Sequence, residues 1–236
     1  MGLRFGTCKV NHVAYADDIT LLSTTAIAMQ HMLNICHEYS ITWRFMYNPI
    51  KSQCILVTET NFPFQQYPNL FMGAENIPWN DTVTILGCVF NKKGNSNSHV
   101  EDRINKCQRS FYALLSKGLA FPHGMSNLCK SFVFKSICQP TLLYCTGALS
   151  ITPEQCRKMN SCQGSIVKRF MGLPARCHHS NLLTALNIDS CDTLTFKNNC
   201  STFYRACLHD SPIKDICTYL MCMMMALILR TVLCTS

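Results

Sequence analysis

Charged residues are scarce in this 236-residue sequence, at 14%, whereas hydrophobic residues make up 48%. This balance excludes an intrinsically disordered chain and allows one large domain, or two small ones, with buried cores. The 17 cysteines include no Cys-x-x-Cys pair, and no apolar run follows Met1-Gly2-Leu3-Arg4. The sequence therefore predicts neither a zinc knuckle nor a secretory signal. We expect reduced, mostly buried cysteines in a nuclear or cytoplasmic protein that is not secreted.

Long hydrophobic runs are also lacking. The longest uncharged apolar stretch, Ile216–Leu229, has 14 residues, whereas a membrane-spanning helix needs about 20. This stretch predicts a buried helix in a helical C-terminal extension, and a membrane anchor is the less favoured alternative.

Acidic residues are few, and the positive charge is concentrated in one segment. Residues 92–176 carry thirteen Lys/Arg against three Asp/Glu, a net of +10, whereas residues 1–91 have a net charge of −2 and residues 177–236 of 0. Such a block favours a polyanionic partner, either nucleic acid or anionic lipid. A solvated basic surface without a partner is the alternative.

The first 93 residues read as short strands around one helix. Two apolar runs flank Ala16-Asp17-Asp18 in residues 10–23, which predicts a β-hairpin with the acidic pair at its tip. Ser23 and Thr24 can cap a following helix that ends near Tyr39. Further strands are predicted at Gln53–Thr58, at Leu70–Met72, and as a hairpin within Thr82–Phe90.

The pattern changes to helical after the linker at Gly94–Asn97. Ser98 and Glu101 have the spacing of a capping box. A helical apolar stripe follows at Val100, Ile104, Cys107, Phe111 and Leu114, and the projection places Arg103, Lys106, Arg109 and Lys117 on a cationic arc beside it. More helices are predicted near 125–138, 153–171 and 192–209, with Pro140, Pro153 and Pro174 at their boundaries.

The acidic pair Asp17-Asp18 is the candidate metal-binding site of the sequence. Nucleotidyl transfer uses two divalent metal ions about 3.5–4 Å apart, and Mg²⁺ prefers oxygen ligands. A hairpin tip can present carboxylates that neither face of the sheet covers. Because adjacent strand residues point to opposite faces, we expect Asp17 to be the full metal ligand and Asp18 to support it. Ordinary turn chemistry is the alternative explanation for two aspartates.

Four blocks of the sequence resemble the reverse transcriptases of non-LTR (LINE-like) retrotransposons, and the resemblance covers about residues 8–150. In order, these blocks are the run around Tyr15-Ala16-Asp17-Asp18, the stretch Tyr47–Ser52, the hairpin at Ile85-Leu86-Gly87-Cys88, and a helical region at 98–147 that contains Gln139-Pro140-Thr141-Leu142-Leu143-Tyr144.

The resemblance implies a role for each matching residue. Asp17 and Asp18 would bind Mg²⁺, and Lys51 would stabilise or protonate the leaving pyrophosphate. Tyr15 and Ala16 would lie near the primer terminus, Leu86 and Gly87 would grip the primer, and Arg103, Lys106 and Arg109 would contact phosphates. The alternatives are a solvent-exposed strand-edge lysine for Lys51 and plain core packing for Leu86.

The resemblance also implies an α+β fold: a partial polymerase palm (1–93), a basic helical thumb (94–176) and the C-terminal extension (177–236). The partners would be an RNA template, a DNA primer and a deoxynucleoside triphosphate.

Only fourteen residues precede Tyr15, which leaves no room for the family's upstream palm aspartate. We therefore expect weak Mg²⁺ binding, no polymerisation by this chain alone, and an upstream palm segment from another chain as a further partner. The rival functions are a noncatalytic nucleic-acid-binding remnant and a membrane-associated protein.

Overall fold

A computed structural model describes residues 2–6, 8–58, 67–118, 125–208 and 213–217. The predicted α+β class is confirmed, because helices and two-stranded antiparallel sheets make up these residues. The chain divides into two compact units. The first comprises Met1–Ile85 with Phe203–Ser236, and the second comprises Leu86–Thr202. The division falls at the 85/86 boundary, and the palm and thumb bounds given above stay a prediction.

The described residues of the first unit contain three complete hairpins, one long helix and a helical turn at residues 213–217. The strands are β1 (Leu3–Phe5), β2 (Cys8–Val10), β3 (His12–Tyr15), β4 (Asp18–Leu21), β5 (Leu70–Met72) and β6 (Glu75–Ile77), and the helix is α1 (Ala26–Thr42). Strands β1 and β2, β3 and β4, and β5 and β6 pair with each other. The hairpin predicted within 10–23 and the strand predicted at Leu70–Met72 are confirmed, whereas β1, β2 and β6 were not predicted.

Helix α1 is capped by Thr25, whose side chain accepts a hydrogen bond from the backbone N–H of Ala28 at 3.2 Å. The prediction of a cap at Ser23 or Thr24 was wrong, because the Ser23 hydroxyl oxygen instead accepts from the Thr25 N–H. The side-chain amide of Gln30 pairs with both backbone groups of Phe71 on β5, each at 2.8 Å. This amide therefore makes the two backbone hydrogen bonds to β5 that a neighbouring strand would otherwise make.

The strand predicted at Gln53–Thr58 is wrong in extent. Only Cys54 makes a β-bridge, with Trp79, through one bond from the Cys54 N–H to Pro78 and one from the Asn80 N–H to Cys54. Apolar composition predicted a full strand, but a strand also needs a continuous partner, and Trp79 provides only a single bridge.

Strands β7 (Thr82–Ile85) and β8 (Cys88–Asn91) confirm the hairpin predicted within Thr82–Phe90. Leu86 and Gly87 form its two-residue turn, both with left-handed backbone, at φ +49° and +77°.

The second unit is otherwise helical. Its helices are α2 (Asn97–Ser116), α3 (Asn127–Val133), a π-helical segment (Phe134–Cys138), α4 (Gln139–Leu143), α5 (Pro153–Phe170), α6 (His179–Ala185) and α7 (Cys191–Leu208). The three predicted helical regions are confirmed, and α6 was not predicted. Fifteen buried residues form the core of these helices. They include three members of the predicted apolar stripe: Val100, Cys107 and Phe111.

The predicted capping box of α2 was wrong. Ser96 occupies the N-cap position and makes no side-chain cap bond, because its hydroxyl donates to the carbonyl oxygen of Ser150. Ser98 lies inside the helix, where it accepts a bond from the Asn91 side chain. A capping box does occur at α5, between Thr152 and Gln155.

Pro140 does not end a helix, contrary to the prediction. It lies in α4, and the preceding turn widens into the π-helical segment, in which the N–H of Gln139 bonds the carbonyl oxygen of Phe134. Proline has no N–H to donate one turn back and its ring crowds that carbonyl. The wider π turn provides the extra space there.

The fifteen cysteines in the described part of the chain are free thiols, and fewer of them are buried than the sequence predicted. Six are buried and two, Cys129 and Cys200, are exposed. Within the described ranges no helix is long and apolar enough to cross a membrane. The predicted apolar tail helix lies outside the described residues from position 218 onward.

Candidate nucleic-acid interface and metal-binding turn

The acidic pair lies at the tip of the β3–β4 hairpin. Tyr15 pairs with Asp18, so Ala16 and Asp17 form the two-residue turn. Both aspartates are exposed, and the neighbouring Tyr15 side chain is 67% exposed. The hairpin therefore displays two carboxylates and one aromatic ring to solvent, which is the local arrangement predicted from the sequence.

The turn is conformationally strained at Ala16, which has φ +52°. A side chain in this left-handed region costs about 1–2 kcal/mol, because Cβ approaches the following carbonyl oxygen. Glycine would avoid the cost. Strained backbone of this kind is often found at functional sites.

The two carboxylates suit Mg²⁺ in chemistry but not in number. Mg²⁺ binds through one or two protein carboxylates when water and substrate phosphates complete its octahedral shell. The described residues contain no group of three or more His, Cys, Asp or Glu that could hold a metal ion. Any Mg²⁺ at this turn would thus depend on ligands beyond Asp17 and Asp18.

Lys51 lies in a turn and not on a strand edge. Its backbone N–H donates to the carbonyl oxygen and to the side-chain oxygen of Asn48, each at 3.2 Å. The Lys51 side chain is exposed. Its predicted contact with a triphosphate stays a prediction.

The Leu86–Gly87 turn is held by side chains from α2 and from Tyr144, which directly follows α4. The Tyr144 hydroxyl donates to the Leu86 carbonyl oxygen at 2.8 Å, and the Arg103 guanidinium donates to the Gly87 carbonyl oxygen at 3.2 Å. His99 accepts from the Val89 N–H at 3.2 Å and bonds the Tyr144 carbonyl oxygen at 2.9 Å. We call His99, Arg103 and Tyr144 the turn clamp.

The clamp fixes the tautomer of His99. Since Nδ1 accepts from a backbone N–H, the single proton of the neutral ring must lie on Nε2, where it is donated to the Tyr144 carbonyl oxygen. His99 is fully buried. Burial, more than any other cause, lowers the pKa of His99, and the nearby Arg103 charge lowers it further.

Arg103 is not part of an exposed cationic face, contrary to the prediction. It is 6% exposed. Its guanidinium also bonds the Asp102 carboxylate and lies 5.2 Å from the centroid of the Tyr144 ring. The spacing Val100, Arg103, Cys107 could have revealed this, because it puts Arg103 on the buried stripe of α2.

Asp102 is shared between two cations. Lys106 lies 3.0 Å from the same carboxylate oxygen that Arg103 binds. Burial acts to raise the pKa of Asp102, but hydrogen bonds from Arg103 and Lys106 outweigh it, so the pKa lies below its ordinary value. Asp102 thus contributes stability above its ordinary pKa, and that contribution is lost as the pH falls through the lowered value.

Leu86 is 46% exposed, so core packing does not explain it. Of the other cations of the predicted arc, Arg109 on α2 and Lys117 just after it are exposed, and Lys106 is half-buried. The sequence did not single out Arg169 of α5, whose guanidinium donates to the hydroxyl of the half-exposed Tyr112. The second unit carries fourteen Lys/Arg against five Asp/Glu, a net of +9.

The comparisons with known proteins add no identification. No family model, no curated protein and no solved structure matches this chain. The geometry of the two turns and the charge of the second unit are therefore the observations that bear on function.

Proposed function

We propose that this chain is part of a retrotransposon reverse transcriptase, an RNA-directed DNA polymerase, with a partial palm and a basic helical thumb. The proposal rests on one observation above all: Asp17 lies in the exposed two-residue turn of an antiparallel hairpin, directly before Asp18. This geometry is the one that the resemblance in sequence requires of a catalytic hairpin.

The chemistry assigned to these residues is transfer of a nucleotide to a primer. The primer 3′-hydroxyl attacks the α-phosphorus of a deoxynucleoside triphosphate, a phosphodiester bond forms, and pyrophosphate leaves. Asp17 and Asp18 would hold Mg²⁺, which when bound supplies charge neutralisation at the reacting oxygens. Lys51 would donate a proton, or positive charge, to the leaving pyrophosphate.

The second unit supplies affinity for the nucleic-acid backbone. Its net charge of +9 and the exposed Arg109 of α2 suit phosphate contacts that do not read sequence. Each phosphate contact releases counterions, so binding should weaken steeply as salt rises.

An iron-cleavage experiment tests the site directly. The chain is bound to a labelled DNA primer on an RNA template, and Fe²⁺ with ascorbate replaces Mg²⁺ so that hydroxyl radicals cut nearby nucleic acid. We expect cuts concentrated within a few nucleotides of the primer 3′ end. Asp17→Asn and Asp18→Asn should abolish them, whereas the matched control Glu75→Gln, an exposed acid on β6, should not.

Two results would count against the proposal: cuts spread evenly along the duplex, or cuts at the primer end that persist in Asp17→Asn. We expect no primer extension by this chain alone; Mg²⁺-dependent extension that is lost in Asp17→Asn would support the catalytic site but would overturn that expectation.

A noncatalytic nucleic-acid-binding role is the second candidate, favoured by the charge of the second unit. It predicts salt-sensitive duplex binding that Asp17→Asn leaves unchanged, with no metal-directed cutting at the primer end. The same experiment therefore distinguishes the two functions.

A further inference from the structure

We propose that Arg103 and Tyr144 are positioning residues that hold the Leu86–Gly87 turn in the shape that contacts nucleic acid, and that Arg103 itself contacts no phosphate. This inference rests on the proposed function, because it assigns the turn to the nucleic-acid interface. It replaces the direct phosphate contact that the sequence suggested for Arg103.

The turn needs external support. Leu86 adopts a left-handed backbone at φ +49°, which a branched side chain disfavours. Both carbonyl oxygens of the turn accept hydrogen bonds from the clamp, one from Tyr144 and one from Arg103. Removing either donor therefore leaves the strained conformation with one restraint fewer.

Arg103 is already engaged through its Nε and Nη2 donors and through one face of its guanidinium. Its guanidinium bonds Asp102 and the Gly87 carbonyl oxygen, and the Tyr144 ring covers it at 5.2 Å. With 6% of its surface exposed, Arg103 would have to leave all three partners to reach a phosphate. Arg109, six residues further along α2, is exposed and suits that contact.

The turn clamp also determines which side of the Leu86–Gly87 turn is exposed to solvent. A Cβ atom added at Gly87 would lie 3.3 Å from Cε1 of Tyr144, so the ring packs closely against this glycine. Meanwhile the Leu86 side chain remains 46% exposed. The turn is thus fixed on its inner side and offers an apolar tip on its outer side, an arrangement that lowers the ordering cost of binding.

The test compares three variants of the full chain: Tyr144→Phe, Arg103→Gln and Arg109→Gln. Tyr144→Phe removes one hydroxyl and keeps the ring, so it should fold normally even if Arg103→Gln does not. Two quantities are measured: hydrogen exchange of the amides from Leu86 to Val89 without nucleic acid, and binding to a primer–template duplex over a range of salt concentrations.

We expect faster exchange at the turn in Tyr144→Phe and Arg103→Gln. If about one molecule in ten keeps the competent turn, the duplex affinity falls about tenfold. The slope of log affinity against log salt should stay at the wild-type value in both, since no phosphate contact is lost. Arg109→Gln should reduce that slope by about 1 and leave turn exchange unchanged.

Two outcomes overturn the inference while the wild-type protein still binds. One is a loss of salt slope in Arg103→Gln equal to that in Arg109→Gln. The other is wild-type exchange and affinity in Tyr144→Phe. Absence of duplex binding by the wild-type protein is a different failure, which counts against the proposed function, while the exchange data alone still report whether the clamp holds the turn.

Discussion

The two units differ in how much buried structure supports their candidate functional residues. In the second unit, fifteen buried residues form a helical core, and the turn clamp is attached to it through α2. In the first unit, a cluster of three buried residues, Leu33, Leu70 and Ile77, packs α1 against β5 and β6. Every residue of β3, which leads into the acidic turn, is exposed.

The units also differ in charge and in how charge is used. The first unit carries seven Lys/Arg against eight Asp/Glu, a net of −1, whereas the second has a net of +9. The acids of the β3–β4 turn are exposed, but Asp102 and Arg103 are used internally. A large core can hold a charged side chain in a fixed position, whereas a two-stranded hairpin only exposes its charged side chains to solvent, because an isolated hairpin is marginally stable.

The largest expected effect is on the core of the second unit. Phe111 is 1% exposed and its ring packs against that of Phe170 at 5.8 Å. Phe111→Ala should lower the free energy of unfolding by about 3–5 kcal/mol, measured by urea denaturation. Tyr112→Ala, next to it and half-exposed, is the control and should cost much less. Equal losses would contradict the assignment of this core.

Truncating a core side chain of the first unit should lower the free energy of unfolding by less than Phe111→Ala does. Leu70 is 1% exposed but belongs to a small cluster whose partly exposed neighbours can close around a cavity. Leu70→Ala should cost about 2–3 kcal/mol, the lower part of the usual range. Phe71→Ala, its 40% exposed neighbour, is the matched control. A loss as large as that of Phe111→Ala would mean that the two cores are equally well packed.

The third effect depends on pH and concerns the clamp. Because the pKa of His99 is lower in the folded than in the unfolded protein, stability is complete above about pH 6.5 and falls as the pH drops below it. One such group changes the free energy of unfolding by at most about 1.4 kcal/mol per pH unit. Thermal unfolding from pH 7.5 to 5 should show this slope in the wild-type protein.

In His99→Gln the slope should disappear, although the variant is less stable overall because a buried ring is lost. His178→Gln, at an exposed position, should keep the wild-type slope. If His99→Gln retained it as well, another group would have to be responsible.

The smallest effect concerns the acidic turn. Ala16→Gly removes the cost of a left-handed alanine, about 1–2 kcal/mol, and adds glycine's entropic cost of about 0.5–1 kcal/mol. A net stabilisation of about 0.5 kcal/mol should raise the urea midpoint slightly. Ala14→Gly, the same change within β3, should instead destabilise. Destabilisation by Ala16→Gly would show that the strain at this turn is compensated elsewhere.

Local patterns predicted much of this fold. Apolar runs around Asp17-Asp18 predicted the hairpin with the acidic pair at its tip, and the run centred on Ile85-Leu86-Gly87 predicted a second strand pair or hairpin arm. Helical periodicity predicted the buried stripe of α2. The predicted strand at Gln53–Thr58 failed because its partner offers only one bridge at Trp79.

The sequence by itself determined that two aspartates would be exposed on a hairpin turn and that a basic helical region would follow. Both depend on interactions between residues a few positions apart. The hydrogen bonds of Arg103 and Tyr144 to the Leu86–Gly87 turn, and that of His99 to Val89, were decided only by tertiary structure. They depend on contacts between residues up to 58 positions apart, which no local pattern encodes. The side of α2 that packs against its neighbours determines which of its cations is buried and which remain available to a ligand.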